Sequence, residues 1–354
     1  MFQNIAQNLT FSGAEARSMI LTPAFDVPLI KAIMTLHEGI KAKQRVAFAE
    51  RISKITVLDA GCNSTPGDAA ITATEKLWDP NRVEMWVAEC YTNLEDTYLA
   101  WGLANGYERP ELDKAVAVVN VNGKDVEVNL WTGFVLDLLQ TAALEDFLRI
   151  VWLGNEDITA GQLSPTAKVK DYNQVDGFYK QIFAMPAQRK YHITANDGAT
   201  YAAQELPDGA ASVIFRNLLK RADPRLRNAP DKVFLMTRSI ADNYQDEREA
   251  HELEVSFNLE ADGTTQNRYR GTPLVEMEFV DRFLESDFNN GTKVDLPHRC
   301  VLTTLSNLAA GVDAEGAIQG FESHYEWVKK LMHLRGGYML DALVMREYLI
   351  SAAY

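Results

Sequence analysis

Between Phe134 and Trp152 the chain carries its strongest helical signal, with Leu136, Leu139, Ala143, Phe147 and Ile150 on one stripe at helical spacing. A helix of that length spans about 28 Å at 1.5 Å per residue. Gly154 and Asn155 supply its stop. Any fold this sequence adopts must therefore lay other elements along one long apolar rod. The rod follows a well-signalled hairpin: AVAVVNV and DVEVNLW flank Asn122-Gly123-Lys124, and Asn-Gly provides the positive φ angles of a tight turn.

Downstream, Pro207-Asp208-Gly209 opens a helix with Ala211, Ile214, Phe215, Leu218, Leu219 and Ala222 on one side, closed by Asp223-Pro224. KVFLMT reads as a buried strand, with Ser239 capping a helix over SIADNYQDERE. The remaining segments, RYRGTPLVEMEF, RCVLTTLSNLAAGV and the C-terminal stretch, are rich in strand formers and are expected to pair into sheets, with helix over parts of 338–350 as the alternative. Upstream, Asp26 and Pro28 open a helix carrying Leu29, Ile30, Ile33, Met34, His37 and Ile40. From Ile52 to Cys90, strand-like stretches surround the turn-rich DAGCNSTPGDAA, and Val83, Met85 and Val87 alternate with Glu84, Trp86 and Ala88. That pattern predicts a long hairpin. It also holds Trp78 and Trp86 on a segment with no evident core of its own, so they pack either on the body or on a neighbouring chain.

Composition narrows the functional classes. At 354 residues the chain exceeds what one core usually fills, so two domains, or one with extensions, are expected. With 35 basic against 49 acidic residues the net charge is −14, which disfavours wholesale neutralisation of phosphates. The three cysteines, Cys62, Cys90 and Cys300, are far apart and form no C-x-x-C pair, which fits a reducing cytoplasm. No basic start followed by an apolar stretch opens the chain and no run of eighteen apolar residues occurs, so a soluble protein with no membrane partner is expected.

Sequence motifs for chemistry are sparse. No glycine-rich phosphate loop is present, and HELEV at 251–255 lacks the second histidine of a zinc protease helix. His298 and Cys300 lie two apart in PHRC, as in a nucleophile or metal pair, but strand alternation gives the same spacing. Arg335-Gly336-Gly337 is a single RGG flanked by apolar residues, better read as a bend in a strand than as a nucleic-acid element. EDFLRIVWLGNED offers acidic groups for a cation or simply a solvated helix end. The Asn-x-Ser/Thr patterns at Asn8, Asn63 and Asn290 stand without a secretory signal. No catalytic residue, cofactor or metal is expected.

Six phrases in order, GIKAKQRVAF, FLRIVWLGNED, VDGFYKQIF, PDKVFLMTRSIADNY, YRGTPLVEM and LTTLSNLAAGVD, span roughly residues 39–313. In wording and order they resemble major capsid proteins of tailed double-stranded DNA phages of the Hong Kong 97 type, in particular those of Bacteroidetes-infecting, crAss-like phages. The resemblance implies an α+β fold with an N-terminal arm (1–50), an extended loop (51–100), a spine helix within a peripheral domain (101–185), an axial domain (186–310) and a return to the peripheral domain (311–354). The hairpin at 115–130 does not map cleanly onto it. It also implies a non-enzymatic shell subunit assembling as hexamers and pentamers, with Trp78, Arg82 and Trp86 as candidate intersubunit contacts. Implied partners are a separate scaffolding protein, a portal, maturation or decoration proteins, and packaged DNA bound without sequence specificity. The implied location is the virion, reached from the host cytoplasm. An encapsulin-type compartment shell is the alternative, and a cytoplasmic α/β enzyme a further one.

Overall fold

Helix formation at the centre of the chain starts earlier than its clearest stripe. In this computed structural model, which describes residues 27–49, 73–107, 116–121, 124–250, 257–259, 265–313 and 322–354, the central helix runs over Leu130–Leu153. The Asn129 side chain caps it by accepting from the Thr132 N–H at 2.7 Å. Gly154 ends it because a Cβ there would lie 2.4 Å from both the Ile150 and Val175 carbonyl oxygens. The expected stripe is buried throughout, yet so are Trp131, Val135, Leu148, Val151, Trp152 and Leu153. A helix apolar nearly all round must be covered on several sides.

In chain order, α1 (Pro28–Ile33) leads into β1 (Thr35–Glu38), then β2 (Gln44–Ala49), β3 (Ala73–Trp78), β4 (Asn81–Cys90) and α2 (Tyr91–Ala104). The hairpin β5 (Val116–Val121) and β6 (Lys124–Asn129) precedes α3, the central helix. Next come α4 (Phe178–Ala184), β7 (Lys190–Tyr191), α5 (Ala210–Arg221), α6 (Pro224–Arg227), β8 (Lys232–Met236) and α7 (Arg238–Ala250). They are followed by β9 (Phe257–Leu259), β10 (Thr265–Tyr269), β11 (Thr272–Glu276), α8 (Glu278–Asp287), β12 (Cys300–Thr304) and β13 (Leu308–Asp313). The chain closes with β14 (Glu322–Glu326), β15 (Leu331–Val344) and β16 (Ile350–Ala353).

Two sheets organise these elements into a mixed helix-and-sheet architecture. Seven strands in the order β7-β16-β12-β8-β11-β10-β9 form one. Alternation along its central strands sends Phe234, Met236, Cys300 and Leu302 toward α5 and α7, while Val233, Leu235 and Val301 meet α3, α4 and α8. In the other sheet, β15 pairs with β13 and β14 along one edge and with β4 along the other, and β1 adds in parallel to β13. Its inner residues Tyr338, Leu340, Ala342 and Val344 join the same core as the C-terminal half of α3. The N-terminal half of α3 packs instead with α2, Met332 and Leu334 in a second core.

Several expectations meet the structure directly. The expected β5–β6 hairpin forms, with Lys124 paired to Val121 rather than in the connection, and β5 packs on α3 through Ala117. The helix over 210–221 forms with Gly209 at φ 70° before it, and Asp223 caps α6 through the Arg225 N–H at 2.9 Å. Other expectations are corrected. The first helix stops at Ile33, and His37 lies in β1, because the backbone from Thr35 to Glu38 bonds to β13. The expected hairpin over 52–90 is split: β3 pairs with β2, whereas β4 pairs with β15 along ten residues. The expected sheet pairing holds for residues 338–344, and the helical alternative does not, because both their edges are engaged for part of their length. Ser239 does not cap α7, because the helix already starts at Arg238 and the Ser239 hydroxyl meets His298 Nδ1 at 2.7 Å. The arm before residue 27, the turn-rich stretch at 59–70, Asn122-Gly123 and HELEV fall outside the described residues.

Adjacent leucines of α3 give a clean test of its packing. Leu139 is 6% exposed and Leu138 is 42% exposed. Leu139→Asp is expected to cost several kcal/mol, as an unpaired charge forced into a core does, while Leu138→Asp stays within about 0.5 kcal/mol. Urea unfolding of the two variants measures both.

Candidate assembly surface

Among the described residues, the outer face of the smaller sheet is covered at one end only. On β15 the odd-numbered residues face outward. Strand pairing sets Trp86 opposite Arg335, Glu84 opposite Gly337 and Arg82 opposite Met339 on that same side. Val83 and Met85, the alternate residues of β4, turn inward to the main core. The strand alternation read from the sequence is therefore the one observed, and it points Arg82 and Trp86 outward.

The covered end is occupied by Trp78. This side chain is 2% exposed and packs with Ile40, Ala309, Leu343 and Met345, with Val46 and Phe48 of the β2 strand beside it. Gly311 makes the space: a Cβ there would approach the Trp78 ring to 2.8 Å and Ile40 to 3.0 Å. Asp341 fixes the corner that follows, accepting from the Asp79 N–H at 2.7 Å before Pro80 turns the chain into β4. Burial, against that N–H bond, pushes the Asp341 carboxyl up to about 6. Trp78 is thus a core residue of its own chain with almost no surface left for a neighbour, so the three residues singled out from sequence do not form one patch.

At the open end, Trp86 is 65% exposed. Its ring is braced from below and the side. The Trp86 indole N–H donates to Nδ1 of His333 at 3.4 Å, His333 Nε2 meets Glu326 at 3.1 Å, and the Arg335 guanidinium lies 5.8 Å from the ring centroid while pairing with Glu84. Hydrogen bonds from Lys329 and His333 hold the Glu326 carboxyl below the usual range. Arg82 is exposed on the same face. Beyond it, among the described residues, the second edge of β4 pairs with no strand, leaving ten residues of backbone as an edge.

A second exposed apolar feature escaped the sequence reading. The four-residue turn joining β14 to β15 is Trp327-Val328-Lys329-Lys330, with Trp327 79% and Val328 83% exposed. The available signal was two large apolar residues standing where turn formers are expected. Among the described residues, no group of three His, Cys, Asp or Glu side chains is placed to hold a metal ion, and no helix is long and apolar enough to cross a membrane. The His298/Cys300 spacing is structural. His298 Nδ1 meets the Ser239 hydroxyl at 2.7 Å and its Nε2 meets the Gln204 carbonyl oxygen, while the fully buried Cys300 thiol is pushed well above its ordinary value by burial. Gly336 and Gly337 lie within the paired length of β15, where a Cβ at Gly337 would crowd the Val83 carbonyl at 3.1 Å.

Comparison with known proteins places this geometry. No family model matches the sequence, and no curated protein matches it. Among solved structures, a chain of the satellite phage P4 procapsid including size determination (Sid) protein aligns over 99% of this chain and 94% of its own, at 11% identity and a TM-score of 0.60. The two share a fold. Weaker likenesses are to the SrpI encapsulin complex of Synechococcus elongatus PCC 7942 (11% identity, 98% and 91% covered, TM-score 0.46) and to Gordonia phage Cozz (10%, 92% and 85%, 0.46).

The Asp341 anchor makes a pH-dependent prediction. Its folded value of about 6 stands above the ordinary 3.8, so the native chain binds more protons than the unfolded chain between about pH 4 and pH 6. Its contribution to stability therefore falls as pH rises through that window, by roughly 3 kcal/mol at most. Asp341→Asn, which cannot ionise, is expected to remove this slope from the urea midpoints relative to wild type. An unchanged slope contradicts the assignment.

Proposed function

We propose that this chain is the major capsid protein of a tailed double-stranded DNA phage, a shell subunit of the Hong Kong 97 type that self-assembles through hexamers and pentamers. The observation that carries the reading is a fold shared with a chain of a phage procapsid, combined with large apolar side chains held exposed on rigid strands and turns. A solitary soluble protein gains nothing from an exposed Trp86 braced by His333 and Arg335, whereas a subunit covers such residues on assembly. The order of phrases along the sequence supports the narrower kinship with phages of Bacteroidetes, the crAss-like group.

Within this reading, residues 1–50 are the arm and 51–100 the extended loop; β2, at the end of the arm, pairs with β3 of the loop, while β4 pairs with β15 of the body. The spine is α3, the peripheral domain takes in 101–185 and 311–354, and the axial domain 186–310 is built on the seven-stranded sheet. The last strand, β16, pairs into that sheet. The proposed partners are further copies of the chain, a scaffolding protein, a portal and maturation or decoration proteins. The proposed cargo is DNA held without sequence recognition, which suits a net charge of −14, and the proposed location is the virion after assembly in the host cytoplasm.

Light scattering on the size-exclusion eluate tests the assignment: rings or closed particles of many copies are expected, with or without a scaffold. Monomers or dimers persisting at high concentration under both conditions would count against it. Trp86→Asp is expected to leave the unfolding midpoint of the subunit nearly unchanged while lowering the assembled fraction, since an exposed site contributes little to folding. Trp78→Ala is expected instead to cost about 3–5 kcal/mol of subunit stability.

A further inference from the structure

The β14–β15 turn and the outer face of the β5–β6 hairpin are complementary in chemistry. The turn presents Trp327 and Val328 followed by Lys329 and Lys330, all four exposed, and Lys330 reverses the chain at φ 55°. Across the hairpin, Val118 pairs with Glu127, and Asp125 lies two residues from Glu127 along β6, so these side chains share one face with Val116. On that face Val116 is 55% and Val118 63% exposed, and Glu127 and Asp125 are exposed beside them. The opposite face, through Ala117, packs on the second core with α3. One feature is apolar and basic, the other apolar and acidic.

Both features spring from the same small core, which takes in Tyr325 and Met332 at the base of the turn and Ala117 beneath the hairpin. Their high exposures mean that neither covers the other within one chain. We propose that the Trp327–Lys330 turn of one copy docks on the Val116/Val118/Glu127 face of the next. The contact is head-to-tail, pairing two different patches, and such contacts close into rings when the rotation between copies allows. Trp327 and Val328 supply the apolar area against the valines, and Lys330, joined by Lys329 as it exchanges its own-chain pairing with Glu326, meets Glu127 and Asp125, which favours this orientation and opposes the reverse. The inference rests on the shell-subunit reading and names which surfaces meet.

Charge reversal in the full-length chain tests it, read by sedimentation velocity, with circular dichroism to check folding. Lys329→Glu/Lys330→Glu and Asp125→Lys/Glu127→Lys, each alone, are expected to raise the concentration needed for assembly at least tenfold. The four changes combined are expected to restore it to near wild type. Independently, mixing Val328→Cys and Val118→Cys variants, both in a Cys62→Ser/Cys90→Ser background, is expected to give a cross-linked dimer that neither forms alone, even where a reversal variant folds poorly. Wild-type assembly that neither reversal weakens, a combined variant no better than the single reversals, or no hetero-dimer on mixing overturns this contact and leaves the shell reading standing. A wild-type chain that never associates overturns both.

Discussion

Everything in this fold depends on α3 serving two cores at once. Its C-terminal half, from Ala143 to Leu153, lies where both sheets, α4 and α8 converge, with Trp152 against Phe178, Tyr179 and Phe279 at ring separations of 5.2 to 6.3 Å. Its N-terminal half carries a separate aromatic cluster in which Trp131 and Phe134 pack on Tyr98 of α2. A helix of 24 residues spans about 36 Å, longer than one small core can cover, so each half recruits its own partners. The elements that gather round the first half, α2, the β5–β6 hairpin and the base of the β14–β15 turn, thereby share one small core.

That arrangement explains why exposed apolar residues are fixed in place rather than free to collapse onto the body. β15 is long enough to bond β13 and β14 successively along one edge while β4 runs along the other. Covering the outer face at one end falls to Trp78, admitted by Gly311 and locked by the Asp341–Asp79 bond. The other end stays open, with Trp86 braced on His333. Among the described residues nothing packs over Trp86 from outside, and the shell-subunit proposal assigns that cover to another copy.

Local signals in the sequence were enough for the parts whose partners lie nearby. The α3 stripe, the β5–β6 hairpin, α5 with its Gly209 entry and the buried β8 all follow from periodicity and turn chemistry. Pairings across long separations did not follow. Nothing local says that Arg82 to Cys90 bonds to residues 331–339, or that Thr35 to Glu38 bonds to β13, so local periodicity suggests a longer first helix and a hairpin between sequence neighbours that these distant pairings override. Helices α2 and α8 stand outside those expectations although Phe279, Val280, Phe283 and Leu284 have helical spacing, because both helices directly follow strand-like runs. Of the three contact candidates, Arg82 and Trp86 face outward as strand alternation required, but burial of Trp78 is decided by a glycine more than 200 residues away. The Trp327 turn was legible only as an anomaly in turn composition.

The most direct test of this account is hydroxyl-radical footprinting of tryptophan side chains in unassembled and assembled protein. Trp78 and Trp152 are buried within the subunit, whereas Trp86 and Trp327 are not. The account predicts low reactivity at Trp78 and Trp152 in both states, and strong reactivity at Trp86 and Trp327 that falls severalfold on assembly. Assembled particles in which Trp86 and Trp327 react as fast as in the free subunit would contradict it.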